Sequence, residues 1–300
     1  MPKAKPKPMT LVDLVDRYGD EDACHEYLAE LRWPTGVTCP ACGSKSVSYL
    51  KKRRQHDCNA CRKRFSVRAG TIFQDSKLEL RKWFMALYII CQSKKSVSAN
   101  QLKRMLGVSY KTAWFLCHRI RRAMMIEDER KLEGIVEADE TFLGGKKRNG
   151  GGPHGKTVVL GAVERDGQVR LRHSGDRKAH KIEQFIEDTV SDDADALYTE
   201  KHQAYKFAAR VVGVEPETIN KSEGEWVHGQ VHTNTIEGVW SLLDRSIIGA
   251  YHKISTKHLP AYLDEQEWRY NNRKNEFLFR DTLIWLIRAD PMEYKELTAA

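Results

Sequence analysis

No stretch of this 300-residue chain is long and apolar enough to cross a bilayer. The longest apolar run, around Trp83 to Cys91, falls far short of the roughly 20 residues a spanning helix needs. The opening Met1–Pro8 (MPKAKPKP) is basic and proline-rich but has no apolar h-region, so it reads as a floppy tail rather than a signal peptide. No internal repeat is visible. With neither an export nor a membrane signal, a reducing cytoplasm is the expected setting. The seven cysteines then read as metal ligands and buried thiols, not disulfides. Acidic residues are the minority, 41 against 50 basic, which leaves a net charge of +9 and points to a polyanionic partner. Hydrophobic content of 41% with 30% charged residues describes a globular protein, long enough for two or three units.

The basic residues are grouped. Lys51, Lys52, Arg53 and Arg54 form one run, Arg62–Arg64 a second, Arg119 with Arg121 and Arg122 a third, and Lys146–Arg148 a fourth. Runs of this kind are usually solvated faces, but here two of them border a cysteine motif. Cys39 and Cys42 form one CxxC pair and Cys58 and Cys61 another, with fifteen residues between. Each knuckle turns both sulfurs to one side, so the four can close a tetrahedral shell around Zn²⁺. A closed four-thiolate shell has no open position, which makes this zinc structural. Cys24, Cys91 and Cys117 lie outside the frame and read as ordinary thiols.

Helical periodicity covers Leu11–Trp33, with Asp20 as an N-cap, and returns from Leu78 to Arg122, where Trp83, Leu87 and Ile90 make one apolar face. Short strands are expected at Ser46–Leu50 and Arg64–Val67. Between Ser96 and Arg122 the pattern is that of a helix-turn-helix: a first helix to Leu106, a turn at Gly107, and a second helix capped by Ser109. Tyr110, Lys111 and Thr112 then occupy the exposed start of a recognition helix, and Ala113, Leu116, Cys117 and Ile120 face inward. An ordinary helical hairpin fits the same pattern. At Gly134 the texture changes to three strands, Ile135–Phe142, Thr157–Val163 and Val169–His173, with an Asp166-Gly167 hairpin turn. A helix over Ala179–Val190, a buried strand at Ala196–Thr199 and a helix over His202–Ala209 follow. From Asn234 onward the chain reads as mostly helical, and Asn149–Gly155 as a mobile loop.

Asp139 falls in the middle of an otherwise apolar strand, where a carboxylate is costly unless it meets a cation or a donor. By alternation Glu137 shares its face and Glu140 points the other way. Glu200 follows the strand Ala196–Thr199 and can lie beside Asp139. Carboxylates on adjacent strands, completed by a ligand from a later helix, suit a hard divalent cation and phosphoryl transfer. Each also has a plainer reading: Asp139 as a solvated strand end, Glu200 as a helix cap. Asn234 and Glu237 match a capping box, an Asn N-cap with Glu three residues on.

The chain resembles bacterial insertion-sequence transposases of the ISXO-like group, which join a zinc ribbon to a DDE-type domain. The matching motifs run in order through most of the sequence: Arg32–Gly43 (RWPTGVTCPACG), Gly70–Ser76 (GTIFQDS), Val108–Trp114 (VSYKTAW) with His118–Arg121 (HRIR), Val136–Gly145 (VEADETFLGG), Val231–Gly238 (VHTNTIEG), Gly249–Ser255 (GAYHKIS) and Arg269–Arg273 (RYNNR). The resemblance implies an α/β fold: an RNase H-like mixed sheet flanked by helices, preceded by a small zinc ribbon and a helix-turn-helix-like segment. The implied division is a basic tail at 1–9, a helix plus zinc ribbon at 10–70, a helical DNA-binding segment at 71–130, a catalytic domain at 131–285 and a tail at 286–300. Asp139, Glu200 and Asn234 are the implied ligands of Mg²⁺ or Mn²⁺, with Glu237 close by on the same helix turn. The implied partners are double-stranded DNA, as terminal inverted repeats and target, and further copies of the chain on that DNA, in a bacterial nucleoid. Lys51, Lys52, Arg53, Arg54, Tyr110, Lys111, Arg119 and Arg122 are the expected DNA contacts, and His232 the histidine expected at phosphate.

Two positions depart from the family pattern. Glu200 stands where the family usually has Asp, and Asp244 stands where it commonly has Lys. A second expectation is therefore a transposase-derived protein that occupies element ends without cutting. A third is a nuclease acting on RNA or hybrids.

Overall fold

The computed structural model describes residues 8–125, 130–144, 156–200, 203–214, 216–219, 224 and 227–299. Most of the expected tail and all of the expected loop at Asn149–Gly155 lie outside them. The chain forms two compact units, residues 1–124 with 275–300, and residues 125–274.

The first unit begins with α1 (Leu11–Tyr18) and α2 (Glu21–Arg32). Both start on local caps: Thr10 and Asp13 form a capping box, and Asp20 accepts the Ala23 N–H at 2.8 Å. The ribbon is an antiparallel sheet of β1 (Val47–Leu50), β2 (Gln55–Cys58) and β3 (Arg64–Ser66) in that order. Strand β2 was not expected, because its QHDC sequence carries no apolar alternation. The bend between β1 and β2 is a 3₁₀ turn at Lys51–Arg53, closed by Arg54 at φ 51°.

Three helices complete this part, α3 (Leu80–Gln92), α4 (Ala99–Leu106) and α5 (Tyr110–Met124). Ser98 caps α4 and Ser109 accepts the Thr112 N–H, while Gly107 takes the left-handed φ of 61° that ends α4. The expected inward residues Ala113, Leu116, Cys117 and Ile120 are all buried. Helix α3 has no cap of its own. The Glu21 carboxylate of α2 instead accepts the Leu80 and Arg81 N–H groups at 2.9 and 3.1 Å, with the Arg68 guanidinium behind it at 2.7 Å.

The second unit contains β4 (Ile135–Leu143), β5 (Thr157–Glu164), β6 (Val169–His173), α6 (Ala179–Thr189), β7 (Ala196–Glu200), α7 (Gln203–Val211), β8 (Pro216–Ile219), α8 (Asn234–Ser246) and α9 (Leu259–Asn271). Its sheet order is β6-β5-β4-β7-β8, with β4, β5 and β6 antiparallel and β7 and β8 parallel to their inner neighbours. A meander followed by two parallel strands on its other side is the RNase H-like arrangement. The Asp166-Gly167 turn is present, with Asp166 at φ 59°. Strand β8 escaped the sequence reading because it opens on proline, a residue tolerated at a strand's first position.

Helices cover both faces of this sheet. Val136, Ala138, Leu160, Ala162 and Leu197 pack against Ile182, Phe185 and Tyr205 of α6 and α7. On the opposite face Val159 and Val163 pack against Ile236, Val239 and Trp240 of α8 and Leu263 of α9. Helix α9 also closes the sheet edge. Glu267 accepts the Leu171 N–H at 3.0 Å, and Asn271 both accepts from Val169 N–H at 2.7 Å and donates to its carbonyl at 3.1 Å. Burial pushes the Glu267 carboxyl up to about 7. Asn271 belongs to the RYNNR motif, whose Arg273 donates to the Gly167 carbonyl at 2.9 Å.

The chain then returns to the first unit as α10 (Leu278–Arg288) and α11 (Tyr294–Thr298). This differs from the expected catalytic domain ending at 285. Phe279 stacks edge-on against Phe84 and Tyr88 of α3, so the apolar face of α10 is buried with the N-terminal helices.

Candidate functional site

Strand β4 brings the acidic residues together. Its parallel register with β7 pairs Glu137 with Tyr198 and Ala138 with Thr199, which carries Asp139 and Glu200 to one level on one face. Glu140 points to the other face, as expected, where it accepts the Tyr205 hydroxyl at 3.0 Å and faces Arg177 at 3.4 Å. Asp139 is paired across the sheet with Gly161 of β5. A Cβ at Gly161 would lie 2.4 Å from the Trp240 ring, so glycine lets the indole approach the strand closely. From there Trp240 Nε1 donates to Asp139 Oδ2 at 3.0 Å. Burial pushes the Asp139 carboxyl up to about 7, and the Glu140 and Glu200 carboxylates add to the rise. A cation placed against Asp139 would offset these penalties by favouring the charged form.

Two residues earlier on the same face, Glu137 is fully buried. Its oxygens accept Arg165 Nε at 2.7 Å, Thr235 N–H at 2.7 Å, Thr235 Oγ1 at 2.8 Å and Ile236 N–H at 3.1 Å. The glutamate of a strand thus serves the orphan amides that open α8. This corrects the expected capping box. The N-cap is Thr233 and not Asn234; its hydroxyl donates to Glu237 Oε1 at 3.2 Å and makes no cap bond. Asn234 is the first residue of the helix and is exposed. His232 is corrected too. Its Nδ1 lies 2.9 Å from Arg165 Nη2 and 3.3 Å from Glu137 Oε1, so the ring packs into the Glu137 cluster.

Among the described residues, the group of three or more His, Cys, Asp or Glu side chains close enough to share an ion is Cys39, Cys42, Cys58 and Cys61. The Sγ···Sγ separations of 3.7 Å (Cys39 to Cys61) and 3.6 Å (Cys42 to Cys58) match the edge of about 3.8 Å expected for a tetrahedron with 2.3 Å Zn–S bonds. The Cys61 N–H pulls the Cys58 thiol down to about 6 against burial, favouring the thiolate a metal needs. The residues fit zinc.

The basic residues divide. Lys51, Lys52 and Arg53 are exposed on the ribbon's 3₁₀ turn, and Tyr110, Lys111 and Arg122 are exposed on α5. Arg54 is committed to an ion pair with Asp22. Arg119 is a correction: it is buried, donates to the Ile72 and Gln74 carbonyls and lies against the Trp83 and Phe115 rings. Desolvation pulls its guanidinium down to about 10. Arg121 is buried as well. The HRIR and GTIFQDS motifs are therefore parts of one packing unit, a role the basic composition concealed.

A family model for the ISXO2-like transposase domain matches residues 131–271, and one for the transposase zinc-ribbon domain matches residues 19–64. The chain is 31% identical over 258 residues to an uncharacterized protein in transposable element ISH50 of Halobacterium salinarum, covering 79% of this chain and 86% of that relative. In line with its ribbon, sheet order and acid-bearing strands, the chain belongs to the ISXO2-like family of insertion-sequence transposases.

Proposed function

We propose that this chain is the DNA transposase of an insertion sequence, binding terminal inverted repeats and cutting and joining DNA with Mg²⁺ or Mn²⁺. The observation that carries the reading is the placement of Asp139 and Glu200 at one level of adjacent strands, with α8 docked over the same face. That fits a donor set of two carboxylates and an amide, Asp139, Glu200 and Asn234, with Glu237 held by Thr233 instead. When bound, the cation supplies Lewis acidity to the scissile phosphate and lowers the pKa of an attacking water or 3′-hydroxyl. Asp139 supplies a desolvated carboxylate, Trp240 fixes its rotamer, and Gly161 gives the indole its room. Lys51, Lys52, Arg53, Tyr110, Lys111 and Arg122 offer exposed groups to phosphate and base edges. Further copies of the chain hold paired ends.

A second reading, occupation of element ends without cutting, is favoured by exposed Asp244, an anion two turns beyond Glu237 on α8. One assay separates the two. Purified chain incubated with an inverted-repeat duplex and Mn²⁺ is expected to nick the element ends, and a preference for duplex over RNA–DNA hybrid excludes the RNA nuclease. Tight binding with no nicking at any Mn²⁺ concentration would establish the second reading.

A further inference from the structure

Glu137 spends a buried charge on a task a surface residue normally performs. Helix α8 needs only a Ser, Thr, Asp or Asn side chain at its N-cap to satisfy its first amides. Thr233 stands there, buried, and turns its hydroxyl to Glu237 instead. The amides of Thr235 and Ile236 go to a carboxylate 98 and 99 residues away, whose charge is balanced by Arg165. Arg165 is itself held by the Gln230 and His232 carbonyls at 3.0 and 3.2 Å and lies over the Tyr198 ring. A local cap sets where a helix begins; a cap from a strand also sets where the helix lies on that strand.

The second tie between the same two elements is the bond from Trp240 to Asp139. Two strand residues, Glu137 to Asp139, span about 6.8 Å. The four to five helical residues from Thr235 and Ile236 to Trp240 span about 6–7.5 Å. The ties are commensurate, so β4 and α8 are locked in one register. We propose that Glu137 is a positioning residue, not a metal ligand: with Arg165 it fixes the first turn of α8 and so holds Trp240 against Asp139, beside Glu200. This rests on the proposed reading of Asp139 and Glu200 as metal ligands. Glu21 is the internal control, since it caps α3 in the same way, backed by Arg68 and a histidine, His25, in the other unit.

The test uses the full chain and the variants Glu137→Gln, Thr235→Val and Glu21→Gln. Two readouts do not depend on catalysis: amide hydrogen exchange at the opening turns of α8 and α3, and Mn²⁺ affinity from the electron paramagnetic resonance signal of free Mn²⁺. In Glu137→Gln, exchange at Thr235 and Ile236 is expected to accelerate at least about tenfold. Its Mn²⁺ dissociation constant is expected to rise about 10- to 100-fold, with nicking recovered at saturating Mn²⁺. Glu21→Gln is expected to accelerate exchange at Leu80 and Arg81 and leave Mn²⁺ affinity unchanged. If Glu137→Gln does not fold, Thr235→Val, which removes one hydroxyl donor, carries the same expectations at about threefold. Unchanged exchange, or faster exchange with unchanged Mn²⁺ affinity, overturns the proposal. Nicking lost at every Mn²⁺ concentration overturns it too, by making Glu137 part of the chemistry. If the wild-type chain binds Mn²⁺ and nicks nothing, the transposase reading fails while exchange and Mn²⁺ affinity still decide the role of Glu137.

Discussion

The opening turns of α3 and α8 are built alike and differ in what stands beside them. Each lacks a local cap bond, and each is served by a distant glutamate with an arginine at 2.7 Å and a histidine nearby. At α3 the arrangement ends there. Burial raises the Glu21 carboxyl, but the His25 hydrogen bond, the two amides and Arg68 outweigh it and pull the group down to about 2. At α8 the same strand carries a second acid two residues on, with a side-chain donor in Trp240 and two carboxylates for neighbours, and its carboxyl rises to about 7. Saturation with donors makes an acid a structural anchor. Desolvation among like charges leaves the next one in need of a cation.

Substitutions at these positions sharpen the contrast. The largest effect is expected from Asp139→Asn, which keeps the shape and removes the charge: nicking of an inverted-repeat duplex falls by about 10³-fold or more. Gly161→Ala comes next. Its Cβ must displace the Trp240 ring, so nicking is expected to drop by about 10²-fold and stability by about 1–3 kcal/mol, read from end-cleavage kinetics and denaturant melts. An unchanged rate would mean that the indole does not orient Asp139. Glu200→Asp shortens the side chain by one methylene, moving its oxygens by about 1 Å, and is expected to raise strand transfer by about tenfold. A loss would show that β7 is placed to suit the longer side chain.

The smallest expected effect is on stability alone. The carboxyl of Glu21 is depressed in the fold, so its contribution is present above the unfolded value of about 4.5 and is lost as pH falls towards 2. Glu21→Gln is therefore expected to lower Tm by several degrees at pH 7, with the deficit closing as melts are taken from pH 5 to pH 2. A deficit of the same size at pH 2 would remove the charge from the explanation.

How much of this was legible in the sequence depended on distance along the chain. The zinc knuckle is written in two short motifs, and the hairpin at Asp166-Gly167 and the caps at Asp20 and Ser109 are equally local. Asp139 stood out because a carboxylate in an apolar strand needs a reason. Glu137 stands in the same strand, but its role was hidden because its partners lie 28 residues away at Arg165 and 98 at Thr235. Missing that bond is also what made Asn234 look like an N-cap: the true cap came from another element. Arg119 was misread for a different reason. Composition counts a charge but does not say which side of a helix faces the core, and its guanidinium is spent on two carbonyls.

The most direct test of the contrast between anchor and metal-seeking acid is a pair of numbers on Asp139→Asn. A carboxyl raised to about 7 costs the fold stability progressively as pH climbs from about 4 to 7, and the cost stays in full above 7. Removing the charge is therefore expected to abolish nicking and, in metal-free buffer at pH 7.5, to raise Tm by about 3 °C or more, with the gain vanishing near pH 4. A Tm that falls at pH 7.5, or nicking that survives, would contradict the account.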